Sequence, residues 1–159
     1  MKRPELGYKR VAEIKAYAAG VLRRHNCPIP VDPLRIIEAE DELELHAVGL
    51  PDEFEAVTGY NKGTDKFDIL VQLPKVEADP IRARFTLAHE LGHYCITKHA
   101  VDLSEDRIPR YRFPTPMSSD FEELLAEVEA DCFAANLLVP EDALKSFLAT
   151  ELTDDRKIS

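Results

Sequence analysis

The chain has 159 residues, 45% of them hydrophobic and 31% charged, with a formal net charge of −10. That length holds one hydrophobic core, the balance of apolar and charged residues excludes a fibrous or disordered chain, and the negative charge argues against the protein itself being the main nucleic-acid binder. No apolar run approaches the roughly 20 residues that span a bilayer, and Met1 to Glu5 lacks the apolar stretch of a secretory signal, so a cytoplasmic location is the expectation.

Val11, Ile14, Ala18, Val21 and Leu22 recur at helical spacing between Lys9 and His25, predicting an amphipathic helix that Asn26, Pro28 and Pro30 end. Lys2, Arg3, Lys9 and Arg10 at its start read as a solvated basic face. Asp32-Pro33 opens a short second helix, with Asp as N-cap and Pro at the first helical position. Leu43, Leu45 and Ala47 then alternate with Glu42, Glu44 and His46, the period of a half-buried strand. Two more strands are expected over about 55–60 and 66–73, joined through the hairpin-turn sequence Asn61-Lys62-Gly63-Thr64-Asp65. A small, mostly antiparallel sheet follows from this pattern.

Residues 74–80 read as a loop, and the next helix as about 81–97, with Ile81, Phe85, Ala88, Leu91 and Cys95 as its apolar stripe. Residues 98–116 carry Pro109, Pro114 and Pro116 and read as one long loop. Ser119 and Glu122 form a capping box for a helix from Asp120 to about Leu138, whose buried side Leu124, Val128 and Ala135 would mark. Pro140 opens a last amphipathic stretch through Leu144, Phe147 and Leu148. The expectation is a single domain over 1–159, with 1–8 and 153–159 flexible. Cys27, Cys95 and Cys132 form no C-x-x-C pair, and read as reduced small hydrophobes.

The chemistry concentrates at His89-Glu90-Leu91-Gly92-His93, an H-E-x-x-H pentapeptide in the predicted helix. Residues i and i+4 share one helix face about 6 Å apart along the axis, so His89 and His93 can grip one zinc ion while Glu90 serves as general base. A catalytic zinc takes a third protein ligand and keeps one place open. His99 matches the outer spacing of a third histidine in one zinc-peptidase pattern, but that pattern requires glycine where this chain has Ile96, and His99 reads instead as a surface or cleft residue. The favoured third ligand is Glu127, with Asp131 four residues on as the carboxylate that holds a ligating histidine in its tautomer. Glu129 competes in principle but points about 200° away from Glu127 around the helix. The bland alternative is that Glu122, Glu123, Glu127 and Glu129 form one solvated acidic face.

Two blocks carry a family resemblance. Arg84-Phe85-Thr86-Leu87-Ala88-His89-Glu90-Leu91-Gly92-His93-Tyr94 resembles the active-site block of the ImmA/IrrE metallo-endopeptidases, and Glu127 to Pro140 is similar to that family's second signature. Val31 to Ile37 resembles its usual N-terminal helix. The resemblance implies His89, His93 and Glu127 as zinc ligands, Glu90 as the catalytic carboxylate, and a zincin-like helical core beside the sheet in an α+β fold. It also implies a protein substrate, a helix-turn-helix repressor encoded nearby, whose cleavage derepresses mobile-element, phage or stress genes. Asp131 stands where Asn is common and Val139 where Met is common. Many members continue with more helical sequence beyond the position of Ser159, which leaves a compact member and a fragment both open. The rival reading is a non-catalytic, zinc-containing regulator that sequesters a repressor. For the oxyanion donor of a peptidase, Tyr60, His99 and Tyr111 all remain open.

Overall fold

Helix ends and turns form where the local chemistry asks for them. The computed structural model describes residues 2–105 and 121–158, with side chains described up to residue 150. The first helix, α1 (Tyr8–His25), stops where Asn26 takes a left-handed φ of 48°. In α2 (Pro33–Ala39), Pro33 sits in the first turn and the Asp32 side chain accepts a hydrogen bond from the Leu34 amide at 3.1 Å. The strands are β1 (Leu43–Ala47), β2 (Ala56–Asn61) and β3 (Lys66–Val71).

The sheet is mixed rather than mostly antiparallel. Its order is β1-β3-β2: the hairpin makes β2 and β3 antiparallel, pairing Asn61 with Lys66, while β1 and β3 run parallel from Leu43 opposite Phe67 to Ala47 opposite Val71. Residues 48–55 carry the chain from β1 past the neighbouring slot, which β3 then fills on its way back. The consequence for function is direct: β3 is the central strand and β2 an outer one.

Two predicted loops contain helices. Pro74 was read as punctuation, yet it occupies the first turn of α3 (Leu73–Ala78), where a missing amide costs nothing. Pro80 does the same for α4 (Pro80–Cys95), capped by the Asp79 side chain on the Arg82 amide at 3.1 Å. The second loop begins instead as α5 (Thr97–Ser104), because every proline of that stretch lies at 109 or beyond. The remainder of that loop and the Ser119 cap fall outside the described residues. Past them come α6 (Phe121–Leu138) and α7 (Glu141–Ile158), so the described chain is α+β with seven helices and three strands. No helix among the described residues is long and apolar enough to cross a membrane.

The core lies between α1, α2, α4, α6 and the sheet, with Ile14, Ile37, Ile69, Leu91 and Phe133 fully enclosed. On α4, Leu87, Ala88 and Leu91 are buried, while Ile81 is 85% and Phe85 40% exposed, so the N-terminal part of the expected stripe faces outward. The buried side of α6 is Ala126, Glu129, Ala130, Phe133, Ala134 and Leu137, not the one marked by Leu124, Val128 and Ala135. Its small residues let α6 pack closely against both α1 and α4. On α7, Leu144, Phe147 and Leu148 are exposed.

Polar ties join these layers. Glu40 accepts hydrogen bonds from Arg24, from His25 at 2.8 Å and from the Tyr94 hydroxyl at 3.1 Å, linking α1, the end of α2 and α4. Burial alone would raise the Glu40 carboxyl, but these donors hold it below its ordinary value. The cysteines are unpaired thiols packed against the core, and burial pushes Cys95 up to about 12, which keeps it an unreactive hydrophobe.

At Gly92, α4 comes close to Phe133 of α6. A Cβ built there would lie 3.0 Å from Phe133 Cδ1 and 3.2 Å from its Cβ and Cγ. Phe133 is fully buried and has nowhere to retreat. Gly92→Ala gains about 1 kcal/mol of helix propensity but meets an overpacking penalty of about 1–3 kcal/mol. Net destabilisation is expected, read as a lower urea midpoint, with partial recovery in the Gly92→Ala/Phe133→Leu double variant.

Candidate metal centre

Two pairs of side chains spaced four residues apart face each other across the α4–α6 contact. From α4, His89 and His93 project toward Glu127 and Asp131 on α6. His89 Nε2 lies 2.9 Å from Glu127 Oε2, and its Nδ1 lies 2.7 Å from Asp131 Oδ1. His93 Nε2 lies 3.0 Å from Glu127 Oε1 and 3.2 Å from His89 Nε2. His89 meets both carboxylates and His93 only the earlier one.

The donor set fits a divalent cation. Two Nε2 atoms and one carboxylate converge with mutual separations of 2.9, 3.0 and 3.2 Å. A tetrahedral zinc with bonds of about 2.0–2.1 Å has ligand-to-ligand edges of about 3.3 Å, so three donors placed this way cap an ion and leave the fourth direction to water or substrate.

Electrostatics agree with this placement. Burial works against a charged imidazole at His89, but hydrogen bonds to Asp131 and Glu127 outweigh it and push the group up to about 10. For Glu127 burial again opposes charge, and the two histidines hold the carboxyl well below its ordinary value. Asp131 is shifted downward in the same sense by His89 and by Arg3, whose guanidinium lies 2.6 Å away. Both carboxylates are thus held in their charged form, and the proton on His89 is the one a ligating cation would displace. Asp131 is bonded to the histidine nitrogen that faces away from the donor cluster.

Glu90 is only 7% exposed and borders the same cavity, a cleft of about 890 Å³ walled by β2, α4, α5 and α6. The Thr58 hydroxyl of β2 lies 2.6 Å from Glu90 Oε2 and 3.1 Å from the Glu90 carbonyl, and donates its single proton to one of them. Glu55, next to β2, ties the sheet to α4 through Thr86 at 2.9 Å and Arg82 at 2.7 Å. Thr58 carries no motif and was missed in the sequence; its partner is 32 positions away.

The structure bears on three expectations about neighbouring residues. His99 borders the cleft rather than the open surface and stays outside the donor cluster: it is 5% exposed, with Nδ1 3.1 Å from His93 Nδ1, on the side of His93 opposite Glu127. Burial lowers its pKa and favours the neutral ring. Glu129 does point away from Glu127, but into the protein rather than into solvent: it is 4% exposed and paired with Arg10, with His99 Nε2 at 3.6 Å. That removes the solvated acidic face, whereas Lys2, Arg3 and Lys9 of the basic cluster are exposed as expected and only Arg10 turns inward to its carboxylate partner. Among the oxyanion candidates, the Tyr60 hydroxyl donates to Asp65 on the hairpin and does not border the cleft, while Tyr111 lies outside the described residues.

A second trio among the described residues, Glu44, His46 and Asp68, also lies within reach of one ion. Lys66 approaches Glu44 at 3.3 Å and the Asn61 amide donates to Asp68 at 3.2 Å, so protein donors already serve that group.

The profile of the peptidase family described as the IrrE N-terminal-like domain matches residues 75–159, just over half the chain. No curated protein matches it. The matched stretch contains α4 to α7 and hence His89, His93, Glu127 and Asp131, whereas Thr58 and Arg10 lie before it.

Loss of the Asp131 carboxylate frees the His89 ring. Asp131→Ala is expected to weaken zinc binding about 10–100-fold, and Asp131→Asn, which keeps an acceptor, by less. Competition with a chromophoric chelator measures both.

Proposed function

The chain belongs to the IrrE N-terminal-like family of peptidases, and from that premise we propose that it is a zinc-dependent endopeptidase, acting in the cytoplasm on a helix-turn-helix repressor and thereby derepressing mobile-element, phage or stress genes. One observation carries the chemical part of this reading: His89 Nε2, His93 Nε2 and a Glu127 oxygen converge within about one ion's reach, beside a buried Glu90 on an open cleft. The choice of repressor rests on the family resemblance of the two sequence blocks.

His89, His93 and Glu127 would hold the ion, with Asp131 orienting His89. When bound, zinc supplies a Lewis acid that acidifies water and polarises a peptide carbonyl. Glu90 takes the proton of the attacking water and returns it to the leaving amine. Thr58, bonded to Oε2, holds the Glu90 carboxylate in one orientation and leaves the other oxygen to handle the proton. An extended substrate adds to the outer strand β2, whose Ala56 and the neighbouring Glu55 border the cleft. Phe85 and Leu125, also on the cleft wall, offer apolar contact to substrate side chains. An intact general base beside the donor set favours catalysis over a closed structural zinc site.

Purified protein incubated with zinc and the repressor encoded beside it tests the reading. Repressor fragments that appear with zinc and vanish with chelator support it; a stable complex of two intact chains would replace it with the sequestering regulator. Glu90→Gln is expected to keep zinc and lose cleavage by about 10²–10⁴-fold. His93→Ala and Glu127→Ala should lose both. Thr58→Val should lower kcat with zinc affinity unchanged, because it touches only the base.

A further inference from the structure

We propose that His99 is a positioning residue for His93: backed by Glu129 and Arg10, it fixes the His93 ring with its proton on Nδ1 and its Nε2 lone pair directed at the ion. The inference rests on the metal-centre reading and extends it to three residues outside the donor set.

The argument begins with proton counting. His93 and His99 face each other through their Nδ1 atoms at 3.1 Å, so one nitrogen donates and the other accepts. His93 Nε2 lies in the donor cluster, 3.0 Å from Glu127 Oε1 and 3.2 Å from His89 Nε2, and must be unprotonated to ligate. The His93 proton is then on Nδ1, which makes His99 Nδ1 the acceptor. A neutral His99 that accepts at Nδ1 carries its own proton on Nε2.

Surroundings select that tautomer. His99 Nε2 is buried with no hydrogen-bond partner among the described residues, and the charged group it faces is the Glu129 carboxylate at 3.6 Å. A buried carboxylate favours a nitrogen bearing hydrogen at that place over a lone pair. Glu129 is itself enclosed, and an enclosed carboxylate is tolerated only with a charge partner; Arg10 of α1 supplies it. The line Arg10–Glu129–His99–His93 thus crosses four helices, α1, α6, α5 and α4, each link set by burial.

The other ligating histidine has its own support of the same logic. His89 Nδ1 bonds Asp131, and Asp131 pairs with Arg3. Both supports end on an arginine from the first ten residues, ahead of the matched family region. Outer partners of this kind orient the ring and are worth about 10–100-fold in metal affinity.

The test compares zinc affinity, by chelator competition, in the full-length protein and in His99→Leu, His99→Asn and Glu129→Gln, alongside nitrogen NMR of His93 in the zinc-loaded protein. Asn places an acceptor oxygen near the position of His99 Nδ1. We expect His99→Leu to weaken zinc about tenfold or more and His99→Asn to recover most of that loss. Glu129→Gln should weaken it by a smaller factor, and a downfield Nδ1 proton of His93 should vanish in His99→Leu. Should His99→Leu not fold, Glu129→Gln and the His93 proton signal decide. Unaltered affinity in both His99→Leu and Glu129→Gln, or His99→Asn as weak as His99→Leu, would overturn the proposal while leaving the metal centre intact. No zinc bound by the unaltered protein would instead bring down the metal-centre reading, and this one with it.

Discussion

The close packing of α4 on α6 governs this structure. Gly92 allows it, since a Cβ there would lie only 3.0 Å from the enclosed ring of Phe133. The alanines at 126, 130 and 134 keep the opposing face low. With the helices this near, residues four apart on one come opposite residues four apart on the other, and Glu127 reaches both histidines at once. A helix pair separated by larger side chains would hold the same residues at distances no single ion could bridge. Packing and chemistry are one constraint here, because the glycine that admits the ring lies between the two histidines it brings into reach.

Charge is distributed to match. The protein is strongly acidic overall, yet the buried part of α6 carries Glu129, and Asp131 and Glu127 are partly enclosed. Each is compensated from another element: Arg10 and Arg3 from the N-terminal segment, His89 and His93 from α4. Pairing rather than exposure makes these carboxylates tolerable. The first helix is therefore more than a cover for the core; through Arg10 it compensates the charge enclosed at the middle of α6.

The sheet supplies the opposite wall. Because β3 inserts between β1 and β2, the strand beside α4 keeps an outer edge, and Thr58 points from it to Glu90. Glu55 with Thr86 and Arg82 fastens that strand to α4 beside the cleft. Helix and strand are thus held at two points along the cavity.

Much of the site was legible in order of residues alone. His89, Glu90 and His93 stand out because helical periodicity is a local property, and Glu127 with Asp131 repeats the same four-residue spacing. The helices beginning at Asp32-Pro33 and ending at Asn26 follow from caps that are equally local. Proline misled where it opened helices instead of closing them, at Pro74 and Pro80. Strand order, the inward turn of Glu129, the burial of His99 and the bond from Thr58 had no local signal. They depend on contacts between segments from 6 to 119 positions apart, as in His93–His99 and Arg10–Glu129. The sequence by itself determined which side chains share a helix face, since that follows from the fixed turn per residue. Which faces meet, and which charges they enclose, only the tertiary structure decided, because burial and pairing are properties of the whole packed chain.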